Sequence, residues 1–110
     1  ILAPLYRFDG WQEQYPRWLK QLARHRVLNE HPDLTFELIQ HRFTKVAKSI
    51  ILQRYPNTRL EMKEEERKFK WGKFGRGKYV YRDEEAVELQ ELLEAEIMHY
   101  FPQAKIEYFT

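Results

Sequence analysis

Basic and aromatic residues are concentrated between positions 67 and 82, which gives this stretch the clearest chemical character in the sequence. It contains no acidic residue and seven basic ones: Arg67, Lys68, Lys70, Lys73, Arg76, Lys78 and Arg82. Since the whole chain carries a formal charge of +2 and this stretch carries +7, the remainder carries −5. A basic patch on an otherwise acidic chain indicates a polyanionic partner, because evenly spread charge would only hydrate the surface.

Aromatic residues alternate with these cations, and cations neutralise phosphates while flat rings stack on bases or enter between them. The pattern therefore predicts nucleic-acid contact, in which the lysines and arginines neutralise phosphates and the rings of Phe69, Trp71, Phe74, Tyr79 and Tyr81 offer surfaces for bases. Four aromatic residues are expected to pack inward by alternation, namely Phe69, Trp71, Tyr79 and Tyr81. Phe74 lies between glycines and is the better candidate for an exposed wedge. The alternative is a solvated hairpin whose lysines only protect a sheet edge.

A second polar group, Gln40-His41-Arg42, ends one predicted strand and precedes a predicted helix. In βα-barrels that location faces the active site. Tyr6 and Arg7, at the end of the preceding predicted strand, would lie on the same rim. A loop histidine that makes one hydrogen bond explains His41 about equally well.

Other chemistries find no support in the sequence. The chain has no cysteine, which excludes disulfides, thiolate metal ligands and cysteine nucleophiles. The four histidines lack metal-ligand spacing, so no metal site is predicted, and no Ser/His/Asp set indicates a catalytic residue. The three glycines at 72, 75 and 77 do not form a dinucleotide-binding motif and precede a strand. No apolar run has transmembrane length and no export signal is visible.

The first half of the chain reads as strand, helix, strand, helix. A buried strand is predicted over residues 1–8, an amphipathic helix from Trp11 to about Val27, a strand over residues 34–40, and a helix from the N-cap Thr44 to Tyr55. The inner face of that last helix is expected to comprise Val46, Ala47, Ile50 and Ile51. Strands that alternate with helices in this way are typical of βαβ units with parallel strands.

The second half has a different organisation. Residues 59–66 are expected to be extended and exposed, also near Leu60 and Met62. Period-two alternation on either side of the glycines predicts a β-hairpin from residues 68–71 and 78–82. Asp83 is the expected cap of a long helix that ends near Phe101, and residues 104–109 should form a final strand.

Several stretches resemble the C-terminal part of spore photoproduct lyases: Ala3-Pro4 leading to Asp9-Gly10-Trp11, and residues 34–45, 70–81 and 100–110. Together they span essentially the whole chain, and long uncommon strings in the right order are a specific signal. Asp9 stands where a family member is expected to have Glu, which weakens any role for that carboxylate. Because the chain starts at Ile1 inside a predicted strand, we expect an N-terminal part to be missing.

The resemblance implies an α/β fold. Residues 1–55 would form the last two βα units of a partial radical SAM (βα) barrel. Residues 56–110 would form a β-hairpin, helix and strand extension that contacts DNA. In this family a 4Fe–4S cluster held by three cysteines cleaves S-adenosylmethionine, and the resulting radical starts repair of the thymine dimer called spore photoproduct. Without those cysteines the chain alone should bind no cofactor and be inactive.

The resemblance also implies roles for the candidate residues. The tip residues Lys73 and Phe74 would enter the DNA at the lesion, with Arg76, Lys78 and Tyr79 behind them and Lys70 on the neighbouring strand. Gln40, His41 and Arg42, with Tyr6 beside them, would line the rim that faces cofactor and substrate.

The implied partners are double-stranded DNA that carries the thymine dimer and the missing N-terminal radical SAM part of the same enzyme. The implied location is the cytoplasm of the spore core. Two other hypotheses stay open from the residues alone. One is a stand-alone nucleic-acid-binding module without catalysis, and the other is a structural α/β domain with a solubilising hairpin.

Overall fold

The fold combines a three-stranded sheet with a separate two-stranded hairpin. The computed structural model describes the backbone of all 110 residues and every side chain except that of Lys73. In chain order the elements are β1 (Leu2–Leu5), α1 (Trp11–Leu22), α2 (Arg26–Asn29), β2 (Thr35–Gln40), α3 (Lys45–Arg54), β3 (Lys68–Trp71), β4 (Gly77–Val80), α4 (Asp83–Tyr100) and β5 (Lys105–Phe109).

The larger sheet has the strand order β1-β2-β5, and both pairings are parallel. Strand β2 is central, with Leu38 opposite Leu2 on one side and opposite Phe109 on the other. The C-terminal strand therefore joins the sheet that the N-terminal residues begin. Because parallel strands share one direction, the carboxyl ends of all three strands meet at the same edge of the sheet.

The hydrophobic core lies between one face of this sheet and the helices α1 and α4. Leu89, Leu93 and Ile97 recur every fourth residue along α4 and are fully buried, as helical periodicity requires for one packed face. Phe36 and Leu38 of β2 meet them from the sheet. On the opposite face of the sheet, side chains such as Thr35 and Tyr108 are exposed.

The expected α/β organisation is confirmed at the level of a mixed fold with a parallel sheet and an antiparallel hairpin. Thr44 caps α3 as predicted, because its hydroxyl accepts a hydrogen bond of 3.0 Å from the amide of Ala47. The predicted buried face of α3 is wrong: no residue of α3 is buried, and Val46 and Ile50 are exposed. Helices α1 and α4 supply the helical side of the core, and α3 contributes no residue to it.

Several boundaries and the burial of Met62 also differ from the sequence prediction. The first strand is limited to Leu2–Leu5, and only Leu5 in it is buried. Arg82, not Asp83, occupies the N-cap of α4, and it makes no side-chain capping bond. Met62 is buried instead of exposed, because the segment before the hairpin folds back against the protein.

Replacing Leu93 by alanine tests the core. A fully buried leucine loses both its transfer free energy and its packing when it is truncated, so Leu93→Ala should lower the free energy of unfolding by about 2–5 kcal/mol. The matched control is Leu52→Ala, at a 42% exposed leucine of α3, which should cost only about 0.5 kcal/mol. Urea unfolding followed by circular dichroism measures both, and equal losses would contradict this placement of the core.

Candidate nucleic-acid interface and active-site rim

The hairpin formed by β3 and β4 has two chemically different faces. Its register places Lys70 directly opposite Lys78 and Phe69 directly opposite Tyr79. Since neighbouring side chains of a strand point to opposite faces, the lysines share one face and the aromatic residues share the other. Two of the predicted DNA contacts, Lys70 and Lys78, are thus brought together on one surface.

A third cation joins that basic face from the end of β2. Partial desolvation lowers the pKa of Lys78, and the positive charges of Arg42 and Lys70 lower it further. Arg42 and Lys70 also line one cleft of about 350 Å³ together with Gln40 and the acidic Asp83. Inside it, Gln40 Oε1 and Arg42 Nε are buried without a hydrogen-bond partner. The rim and the hairpin therefore contribute to one cleft, which two cations and one carboxylate line.

The aromatic face continues into a row of rings. Phe43 stacks on Tyr79 with 5.2 Å between ring centroids, and Phe69 lies edge-on to both Tyr79 and Trp71 at 5.2 and 5.0 Å. The expectation that these strand aromatics pack inward is wrong for Trp71, which is 71% exposed, and for Phe69, which is 43% exposed. Of the expected four only Tyr81 is buried, because the hairpin projects away from the core.

The hairpin turn presents Phe74 to solvent with 95% of its surface exposed. Its backbone has φ 64° and ψ 29°, and Gly75 follows with φ 70°, so both lie in the left-handed region. That region suits glycine but costs a residue with a side chain about 1–2 kcal/mol. Arg76 is exposed beside them, and the predicted contribution of the Lys73 side chain lies outside the described residues.

The rim residues lie at the carboxyl ends of β1 and β2, as the sequence predicts. The His41 amide donates to the Leu5 carbonyl at 2.8 Å, and the rings of Tyr6 and His41 are 4.5 Å apart. Gln40 and Arg42 instead contact the chain end, since the Gln40 amide donates to the Thr110 carbonyl and Arg42 Nη2 lies 3.4 Å from Thr110 Oγ1. Tyr6 and His41 therefore form one group on this rim, and Gln40 and Arg42 form another.

Two backbone hydrogen bonds attach the hairpin to this rim. The Phe43 amide donates to the Tyr79 carbonyl at 3.1 Å, and the Tyr79 amide donates to the Phe43 carbonyl at 2.7 Å. On the far side, the Arg7 amide donates to the Tyr81 hydroxyl at 2.9 Å. The Arg7 side chain itself points to α4, with Nη1 and Nη2 at 3.0 and 2.8 Å from carboxylate oxygens of Glu85 and Glu88.

Sequence reasoning missed a buried cluster around Arg67, which was grouped with the basic stretch. Its side chain is 1% exposed, and it pairs with Glu61 at 2.8 Å. It also lies 3.1 Å from the Nδ1 atom of His41. A charge count along the chain treats every arginine alike, so no local signal separates this buried guanidinium from its exposed neighbours.

Burial determines the protonation state of His41. Desolvation chiefly, and then the charge of Arg67, lowers the pKa of His41 to about 4, although Glu61 acts in the opposite direction. The imidazole is therefore neutral near pH 7. Since guanidinium groups only donate, Nδ1 accepts from Arg67 and the ring proton resides on Nε2.

Metal and membrane sites find no counterpart in the described residues. Their side chains contain no group of three or more potential metal ligands. No described helix combines the length and apolarity that a membrane crossing demands.

A family model described as spore photoproduct lyase matches residues 1–110, which is the whole chain. The chain belongs to the spore photoproduct lyase family. Among curated relatives, it is 54% identical over 110 residues to the spore photoproduct lyase of a Geobacillus species and 50% identical to that of Bacillus subtilis. The Clostridium acetobutylicum lyase is 42% identical over 108 residues. The resemblance seen in the sequence is thereby confirmed.

Solved structures of spore photoproduct lyases have the same local fold. A lyase complexed with dinucleoside spore photoproduct matches with a TM-score of 0.93 and 54% identity, and a mutant lyase with bound AdoMet and dinucleoside spore photoproduct matches equally well. Each match covers 99% of this chain. The chain spans 32% of the length of those structures and of the Geobacillus and Bacillus relatives.

The buried, neutral His41 should make stability depend on pH. Its pKa is about 4 when folded and 6.5 in the unfolded reference, so its contribution is complete above pH 6.5 and is lost as pH falls toward 4. At pH 5 the loss should be about 2 kcal/mol relative to pH 7.5.

Urea unfolding at both pH values measures this loss, which His41→Gln should largely remove. His99→Gln, at an exposed histidine, is the control and should keep it. An unchanged pH dependence in His41→Gln would show that His41 is not the titrating group.

Proposed function

We propose that this chain is the C-terminal, lesion-recognising part of a spore photoproduct lyase. The whole enzyme would repair the thymine dimer of UV-damaged spore DNA by radical chemistry on S-adenosylmethionine. Relatives solved with AdoMet and with dinucleoside spore photoproduct support this reaction. This segment would act with the rest of the enzyme in the cytoplasm of the spore core.

The hairpin is the observation that carries the proposal. Like charges directly opposite each other on neighbouring strands are destabilising, yet Lys70 faces Lys78 and Arg42 adds a third charge beside them. A phosphate backbone would neutralise this repulsion. The cationic face would therefore follow a DNA strand, with Arg76 at the tip as a further contact.

Phe74 is proposed as the wedge at the lesion. An aromatic residue that is 95% exposed in a strained turn gains nothing from the protein around it, whereas glycine or asparagine would form the same turn at lower cost. Inserting its ring between bases would bury it and hold the unpaired lesion out of the stack. Lys73 would enter the DNA together with Phe74, and Tyr79 would lie behind the tip.

Tyr6, Gln40, His41 and Arg42 are proposed as the part of the active-site rim that faces substrate and cofactor. The iron–sulfur cluster does not fit this chain, which has no cysteine and, among its described side chains, no set of metal ligands. The cluster would belong to the rest of the enzyme, and this segment bears no catalytic residue in the proposal.

The N-terminal radical SAM part of the same enzyme is the proposed structural partner. Strand β1 pairs only with β2 among the described elements, so its other edge is free to continue a partial barrel. Ile1, Phe8 and Trp18 are exposed apolar residues near that edge. Residues 1–55 would then be the last two βα units, and residues 56–110 the DNA-contacting extension.

DNA binding by the 110-residue chain should depend steeply on salt. Contact with about four phosphates predicts a slope of log affinity against log salt of about −3 to −4. The double variant Lys70→Gln/Lys78→Gln should make that slope less negative by about 2. The double variant Lys20→Gln/Arg24→Gln, at exposed cations of the α1 region, should leave it unchanged.

Fluorescence anisotropy with duplexes with and without the lesion gives the slopes. Equal affinity for both duplexes would favour a stand-alone nucleic-acid-binding module. If neither the 110-residue chain, shown to be folded by circular dichroism, nor the full-length lyase binds DNA, the result favours a hairpin that only solubilises the protein.

Removing the Phe74 ring in the full-length lyase should impair repair in DNA selectively. Phe74→Ala should lower kcat/KM on a lesion-bearing duplex by about tenfold or more and change kcat/KM on free dinucleoside spore photoproduct by less than about twofold, because only the duplex has to be opened. Tyr55→Ala removes a 66% exposed aromatic elsewhere and should affect neither substrate. Equal rates for Phe74→Ala and wild type on the duplex would refute the wedge.

A further inference from the structure

The guanidinium of Arg67 is held by hydrogen bonds from all three of its nitrogens. Nε and Nη2 donate to Glu61 Oε2 at 3.1 and 2.8 Å. Nη1 donates to the His41 carbonyl at 3.1 Å, and Nη2 lies 3.1 Å from His41 Nδ1 and 3.3 Å from the Glu61 carbonyl. A charge this deeply buried is tolerated only where its donors are satisfied in this way.

Two aromatic rings enclose the same guanidinium. Its Cζ atom lies 3.9 Å from the ring centroid of Tyr81 and 5.4 Å from that of Phe43. Both contacts are in the range of cation–π attraction, which strengthens where water is excluded. The planar guanidinium makes these contacts and its hydrogen bonds at once, which a lysine ammonium could not do.

These partners come from three separate segments of the chain. His41 and Phe43 belong to the rim and the loop that follows it, Glu61 belongs to the segment before the hairpin, and Tyr81 directly follows β4. Arg67 itself is the residue immediately before β3. Its side chain therefore fixes the base of the hairpin against the rim, while the tip remains free.

We propose that Arg67, held by Glu61, is a positioning residue that sets the orientation of the hairpin relative to the rim. This inference rests on the proposed function. By holding the hairpin in this orientation, Arg67 would bring DNA opened by the hairpin tip to the rim residues. Arg67 would touch neither DNA nor the lesion, because its side chain is buried.

The test separates positioning from stability by comparing two substrates of the full-length lyase. A lesion in duplex DNA requires both hairpin and rim, whereas free dinucleoside spore photoproduct requires no opening by the hairpin. Arg67→Met keeps the length of the side chain and removes its fork of donors. It should lower kcat/KM on the duplex by on the order of ten- to a hundredfold and on the dinucleoside by less than about threefold.

Two further variants and a control complete the test. Arg67→Lys and Glu61→Gln keep part of the hydrogen-bond network and should give a smaller, equally duplex-selective loss of kcat/KM. They replace Arg67→Met if that variant fails to fold. Arg59→Met removes an exposed arginine of the same segment and should behave as wild type on both substrates. Phe74→Ala serves as the reference for a purely hairpin-dependent loss.

The outcomes for the two proposals are distinguishable. If Phe74→Ala shows a duplex-selective loss while the Arg67 and Glu61 variants lose activity equally on both substrates, or lose none, the positioning role is overturned and the hairpin function stands. A Phe74→Ala enzyme without duplex-selective loss overturns the proposed hairpin function itself. Duplex-selective loss in both sets of variants supports the positioning role.

Discussion

The positive charge of Arg67 is buried where three chain segments meet, and the functional surface depends on how that charge is satisfied. Glu61 supplies the counter-charge, His41 supplies a carbonyl and a ring nitrogen, and Tyr81 and Phe43 supply aromatic surface. Because an unpaired buried charge is strongly unfavourable, these groups cannot separate independently. The rim, the segment before the hairpin and the hairpin base consequently behave as one unit, and the neutral state of His41 follows from the same environment.

Beyond this junction, the hairpin has little support from the core and a composition suited to a partner. Its lysines oppose each other on one face, its aromatic residues are partly exposed on the other, and Phe74 projects from a strained turn. Gly77 lets the Phe69 ring lie directly over the backbone, since a Cβ there would come within 1.9 Å of it. The DNA duplex that we propose as its partner would supply both phosphates and base surface.

The sheet positions the rim by topology. Parallel pairing of β1, β2 and β5 brings the ends of three distant chain segments to one edge, so Tyr6 lies beside His41 and Thr110 lies beside Arg42. Helices α1 and α4 cover one face of the sheet and leave the other exposed. A sheet in which the described elements cover one face and leave the outer edge of β1 unpaired fits a chain that spans 32% of its relatives' length.

The sequence by itself determined the order and type of the elements apart from the short helix α2, and also the basic stretch, the exposed Phe74 and the family. These features depend on local periodicity, on glycine and capping preferences and on long shared strings, all of which are readable along the chain. Only the tertiary structure decided that β5 joins the first sheet, that α3 buries no residue and that Trp71 is exposed. It also decided that Arg67 is enclosed while Lys68 and Lys70 face solvent. Burial depends on which distant segments meet, and Glu61, His41 and Arg67 meet through long-range packing that no local pattern encodes.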